Sequence, residues 1–196
     1  MRETIFISHR RSDEQVAEMI KDFLIATGIP NSYVFCSSLP GNDVNEKIGT
    51  EVRDRLHNSV VNILILSKEY YDSAYCLNEA GVAWYQDDVI VIPIGLPEIE
   101  PNSMVGFLNS EYKLRRLDNE SDIAYLYDAI HKSVSSSEVS HSIILQETKK
   151  LKHRYESHIG KRQSTSDLDN NSHRPIVNSG PVRTPSRSTR NSVTVL

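Results

Sequence analysis

The segment Val60-Val61-Asn62-Ile63-Leu64-Ile65-Leu66 is an almost unbroken apolar run. A strand with one wet face alternates between apolar and polar residues. A run without alternation must be covered on both faces, as at the centre of a parallel sheet. Shorter runs of the same kind stand on either side: Thr4-Ile5-Phe6-Ile7-Ser8, Tyr33-Val34-Phe35-Cys36 and Val89-Ile90-Val91-Ile92-Pro93-Ile94. Tyr112-Lys113-Leu114-Arg115-Arg116-Leu117 alternates and reads as a fifth, edge strand.

Helical patterns separate these runs. Ser12-Asp13-Glu14 supplies a start, Val16, Met19, Ile20, Phe23 and Leu24 recur at helical spacing, and Gly28 with Pro30 supplies a stop. Asp43 or Asn45 caps a second helix with Ile48, Val52 and Leu56 on its apolar side. Ser67–Ser73 reads as a polar exit from the central strand, followed by a helix through Trp84, which is expected in the core. Residues 120–133 read as another helix. Strands alternating with helices imply βαβ units and a parallel sheet with helices on both faces. In such sheets the ligand crevice lies outside the C-terminal ends of the strands. The loops after Ser8, Cys36 and Leu66 are therefore the places to look for chemistry.

The formal charge of −4 hides a division. Residues 161–196 hold Lys161, Arg162, Arg174, Arg183, Arg187 and Arg190 against Asp167 and Asp169, so the first 160 residues carry the whole acidic surplus. Half of that tail is Ser, Thr, Asn or Pro, with no aromatic residue. Such a segment buries too little apolar surface to offset its ordering entropy. The expected organisation is a domain over 1–133, a helical extension over 134–160 and a disordered basic tail over 161–196. In the extension, Ile144, Leu151, Tyr155 and Ile159 form an apolar stripe opposite Lys149, Lys150, Lys152 and Arg154.

Several chemistries lack their residues. Cys36 and Cys76 make neither a disulfide framework nor a four-ligand zinc site. The seven His residues show no metal-ligand spacing, so no metal is expected. G-x-G-x-x-G and the P-loop pattern are absent, and Ser67 stands where a phospho-receiver needs Asp. Weak acidity argues against nucleic acid or an anionic membrane as partner. No apolar run reaches the roughly 18 residues of a membrane span, and the start reads directly into a strand without a leader pattern. The expectation is a soluble cytoplasmic protein.

Three segments concentrate the remaining chemistry: Phe6-Ile7-Ser8-His9-Arg10-Arg11-Ser12-Asp13, then Phe35-Cys36-Ser37-Ser38-Leu39-Pro40-Gly41-Asn42-Asp43, then Ser73-Ala74-Tyr75-Cys76-Leu77-Asn78-Glu79. In order, spacing and content they resemble the Toll/interleukin-1 receptor (TIR) domain, over about residues 1–133. The aromatic-Cys-x-x-Glu pattern carries Tyr75 where many members have Trp. The resemblance implies a flavodoxin-like three-layer fold with a five-stranded parallel sheet. It is nearest the stand-alone bacterial members of Thoeris-type anti-phage defence. Many members cleave NAD+ between nicotinamide and ribose, releasing ADP-ribose or a cyclic signal that activates a separate effector protein.

By the same resemblance Glu79 is the catalytic carboxylate, and NAD+ is a substrate with no further cofactor. Phe6, Ser8, Arg10, Ser38 and Tyr75 are substrate-binding candidates. Ser37, Ser38, Leu39, Pro40, Gly41, Asn42 and Asp43 form a loop that packs on a neighbouring TIR domain, so self-association is expected. The chemistry is compatible with these residues. Nicotinamide leaves as a neutral molecule, and the ribose left behind is oxocarbenium-like, so one carboxylate beside the sugar suffices. Tyr75 lies one turn before Glu79 on the same helix face and can wall the ring. Two other readings compete: a non-catalytic TIR–TIR scaffold, and a nucleotide-sensing module without turnover.

Overall fold

The computed structural model describes residues 3–37 and 46–171. Four parallel strands form one sheet: β1 (Thr4–Ser8), β2 (Val34–Cys36), β3 (Ser59–Leu66) and β4 (Ile90–Gly95), in the order β2-β1-β3-β4. Seven α-helices are found among the described residues. They are α1 (Glu14–Ala26), α2 (Glu46–His57), α3 (Lys68–Tyr71), α4 (Ala74–Tyr85), α5 (Phe107–Glu111), α6 (Glu120–His131) and α7 (His141–Asn171).

Strand periodicity sorts the side chains onto two faces. Ile5 and Ile7 of β1, with Val61, Ile63 and Ile65 of β3, face α1, α6 and α7 in one core. That core includes all five apolar α1 residues expected from helical spacing, together with Leu151 and Tyr155 of α7. On the opposite face Leu64 and Leu66 pack with Tyr70 of α3 and with Cys76, Ala80 and Ala83 of α4. Phe6 packs there against Val52 and Leu56 of α2. The α1 stop is a backbone requirement: Gly28 has φ +100°, and an added Cβ would lie 2.3 Å from Ser137 O.

Three expectations change. The sheet has four strands, because the segment Tyr112–Leu117 meets β4 only in a single parallel bridge, Ile94 to Arg115. Arg115 N donates to Pro93 O and Gly95 N donates to Arg115 O, at 2.9 and 3.0 Å. On one side of that bridge Pro93 has no N–H to extend the ladder. On the other, the Arg116 guanidinium takes Gly95 O, together with Leu96 O and Ile99 O. Asp122 accepts from Arg116 N, which pulls the chain away from the sheet.

The exit from β3 is not simply polar, since Ser67 and Tyr70 are fully buried. Trp84 is not core: it is 46% exposed, stacks on Phe107 and donates through Nε1 to Glu111. The final helix runs continuously to Asn171, past the point where a disordered tail is expected to begin. The chain divides into two compact units, Met1–Gly160 and Lys161–Leu196. Among the described residues no helix is long and apolar enough to cross a membrane.

Candidate active site

The strand order reverses between β1 and β3, because β2 lies on one side of β1 and β3 on the other. A crevice opens at the C-terminal end of a parallel sheet at such a point. Ser8 closes β1 there. The chain leaving β3 turns through α3 and reaches α4, whose N-terminus is capped by Ser73 accepting from Cys76 N at 3.3 Å. This cap fixes the start of α4, and the helical period then places Tyr75 and Glu79 on one face.

Glu79 is only 4% exposed. Its Oε2 accepts from Ser8 Oγ at 2.5 Å and from Ser37 Oγ at 3.2 Å. These donors lie 71 and 42 residues away in sequence, one ending β1 and the other following β2. Oε1 is buried and has no hydrogen-bond partner among the described residues. Burial pushes the Glu79 carboxyl up to about 7, against the opposing pull of the two serine donors. A carboxyl with one filled oxygen and one empty oxygen is an incomplete site. A hydroxyl arriving at Oε1 would satisfy a group that otherwise carries a desolvation penalty.

Beside it lies a cleft of about 320 Å³ lined by Val52, Arg53, Leu56, Tyr75, Asn78, Glu79 and Val82. That is the small end of ligand pockets, about 300–1,000 Å³. Tyr75 is half-buried at its wall. Desolvation, then the neighbouring Glu79, push its phenol up to about 12, so it presents a neutral ring. Arg53 is an exposed cation at the rim, contributed by α2.

The expected site residues separate into groups. Ser8, Ser37, Tyr75 and Glu79 come together. Phe6 does not line the cleft: it is fully buried, packed with Val52 and Leu56 and flanked by Phe35 and Tyr75, so it backs the wall. Its ring stacks on Phe35 at 5.5 Å between centroids. Arg10 is exposed and donates to Ser73 Oγ at 3.3 Å, bracing the α4 cap outside the cleft lining. Ser38 and the rest of 38–43 lie outside the described residues.

Tyr70 escaped the sequence reading. Its hydroxyl is within 2.9 Å of Ser8 Oγ and donates to Cys76 O at 3.1 Å. The residues between β3 and α4 looked like a polar linker, and a tyrosine there carried no periodic signal. The Ser67 cap of α3, accepting from Tyr70 N at 3.1 Å, is the local clue that a structured turn begins. Arg53 escaped for a different reason: it sits on the polar side of an amphipathic helix, which ordinarily faces water.

An α/β domain with a buried carboxyl at its topological switch point is thus defined by fold and geometry. The TIR domain family matches residues 5–125, and the chain belongs to that family. Two relatives extend the comparison. An uncharacterized protein YddK of Bacillus subtilis (strain 168) is 28% identical over 131 residues, covering 64% of this chain and 47% of its own length. A protein of Brachypodium distachyon named as a probable 2′ cyclic ADP-D-ribose synthase, BdTIR, is 31% identical over 103 residues. That match covers 52% of this chain and 43% of the relative. The chain thus spans about half the length of the curated relatives it matches.

Proposed function

We propose that this TIR domain cleaves the bond between nicotinamide and ribose in NAD+. The observation carrying the proposal is the buried Glu79 carboxyl at the β1/β3 crevice, with Oε2 held by Ser8 and Ser37 and Oε1 unpartnered beside a cleft walled by Tyr75. A protein–protein scaffold has no use for such a carboxyl, whose burial works against stability.

In the proposed reaction the nicotinamide ring stacks near Tyr75 and Glu79 Oε1 accepts from a ribose hydroxyl. The glycosidic C–N bond breaks and its electron pair goes to the ring nitrogen, so nicotinamide leaves neutral. The ionised Glu79 stabilises the ribosyl cation through a low-dielectric site. Water then adds and loses a proton to give ADP-ribose. Alternatively a nucleophile within the substrate closes a ring. The name of the Brachypodium relative favours the cyclic outcome. Phe6 backs the aromatic wall, and Arg10 and Ser38 stand as rim contacts for the phosphates.

By resemblance to stand-alone bacterial members, the product serves as a signal in anti-phage defence and acts on a separate effector protein. Self-association through the segment 37–43 completes the site. Activity per molecule should then rise with enzyme concentration, and a flat profile argues against assembly.

The decisive experiment incubates purified protein with NAD+ and follows nicotinamide by chromatography, with Glu79→Gln alongside. Release that disappears in the variant is expected. Equal release by both proteins removes Glu79 from the chemistry. No release at any concentration removes the enzyme reading and leaves a binding or scaffold role.

A further inference from the structure

Behind Glu79, away from the cleft, a chain of oxygens runs Glu79 Oε2, Ser8 Oγ, Tyr70 Oη, Cys76 O, with separations of 2.5, 2.9 and 3.1 Å. All four residues are buried. The three contacts need three hydrogens. Ser8 and Tyr70 each own one, so the third can come only from a protonated Glu79.

We propose that Tyr70 is a positioning residue that favours the neutral form of Glu79, by completing a hydroxyl chain that only a protonated carboxyl fills. With Glu79 neutral, Glu79 donates to Ser8, Ser8 donates to Tyr70 and Tyr70 donates to Cys76 O. With Glu79 ionised, the chain reverses: Ser8 donates to the carboxylate and Tyr70 donates to Ser8. One contact is then empty. Cys76 O tolerates the loss because it lies in the first turn of α4 and has the helix's own donor four residues on. The heavy atoms stay in place, and ionisation releases one proton to solvent.

Other groups around Glu79 do not supply the missing hydrogen. Ser37 already donates its only one to Oε2. From α4 come Tyr75 and Cys76, both neutral because burial raises them. From α2 comes Arg53 at the cleft rim. His9, which follows β1, has Nδ1 on Ile7 O and is held neutral by burial. Arg10 reaches Ser73 rather than the carboxyl.

Counting bonds gives a direction. Tyr70→Phe removes two hydrogen bonds from the neutral state and one from the ionised state, so ionisation becomes easier. The midpoint of Glu79 titration should fall by about half a unit to one unit. Ser8→Ala removes the direct donor to the anion and should raise the midpoint. A simple donor relay, in which Tyr70 strengthens Ser8 as a donor to the carboxylate, predicts the opposite sign for Tyr70→Phe.

The bearing of this chain on catalysis rests on the proposed NAD+ cleavage, but the titration does not. The test is infrared titration of the carboxyl band in the full chain, with the Glu79→Gln difference assigning the band. Wild type, Tyr70→Phe and Ser8→Ala are compared, and thermal melting checks that each variant is folded. A lowered midpoint in Tyr70→Phe with a raised midpoint in Ser8→Ala supports the proposal. An unchanged or raised midpoint in Tyr70→Phe overturns it. Should Tyr70→Phe not fold, an unchanged or lowered midpoint in Ser8→Ala overturns it. A normal titration without nicotinamide release sinks the enzyme reading alone.

Discussion

Replacing Glu79 by Gln should make the protein more stable while removing its proposed activity, and the gain should depend on pH. The Glu79 carboxyl titrates at about 7 in the folded protein against 4.5 when exposed. A folded value above the unfolded one means that the native state holds its proton more tightly. The associated stability is fully present below pH 4.5 and is lost as pH rises through about 7. The difference corresponds to about 3 kcal/mol once both states are ionised. No discount for solvent is needed, since the residue is only 4% exposed.

Gln keeps an acceptor for Ser8 and Ser37 and never ionises. Near pH 4.5 the variant and the wild type should be nearly equal in stability. At pH 8 the variant should be ahead by about 3 kcal/mol, or roughly 6–12 °C in melting temperature. Urea melts at pH 4.5, 6 and 8 give the comparison directly. A stability difference that stays flat across this range would refute the reasoning, because the charge on Glu79 would then carry no penalty in the native state.

Other outcomes follow from the same geometry. Nicotinamide release by the wild type should fall about tenfold per pH unit below 7 and level off above it, as Glu79 ionises; a profile flat from pH 5 to 8 would assign the chemistry elsewhere. Tyr75→Ala should lower kcat/KM by roughly tenfold, matching the loss of about 1 kcal/mol of aromatic contact, with steady-state kinetics as the measure. Phe6→Ala should cost about 3–5 kcal/mol of stability by urea denaturation, since the ring is fully buried behind the wall. Gly28→Ala should lower the melting temperature, because its φ of +100° and the nearby Ser137 O leave no room for Cβ.

Much of the fold could be read locally. Helix stops, caps and strand runs are set by residues a few positions apart, so β1 to β4, α1 and α6 emerged close to their observed limits. The order of the three loop segments also pointed to the family, and the helical period alone put Tyr75 and Glu79 on one face. The fifth strand failed because its alternation satisfied a local rule while its partners did not. Pro93 and the Arg116 guanidinium had already removed the backbone groups it would have paired with.

The sequence by itself determined which residues carry chemistry and which elements bear them, because periodicity, capping and motif spacing act within one or two turns of chain. Only the tertiary structure decided the state of Glu79. Its burial, its elevated titration, the two serines on one oxygen and the Tyr70 hydroxyl behind them join residues far apart in the chain. Desolvation depends on what covers a group from every side, and a hydrogen-bond network depends on where hydroxyls meet in space. Neither has a local signature, so a glutamate that reads as an ordinary helix residue becomes a shared-proton centre only once β1, β2 and α4 are packed together.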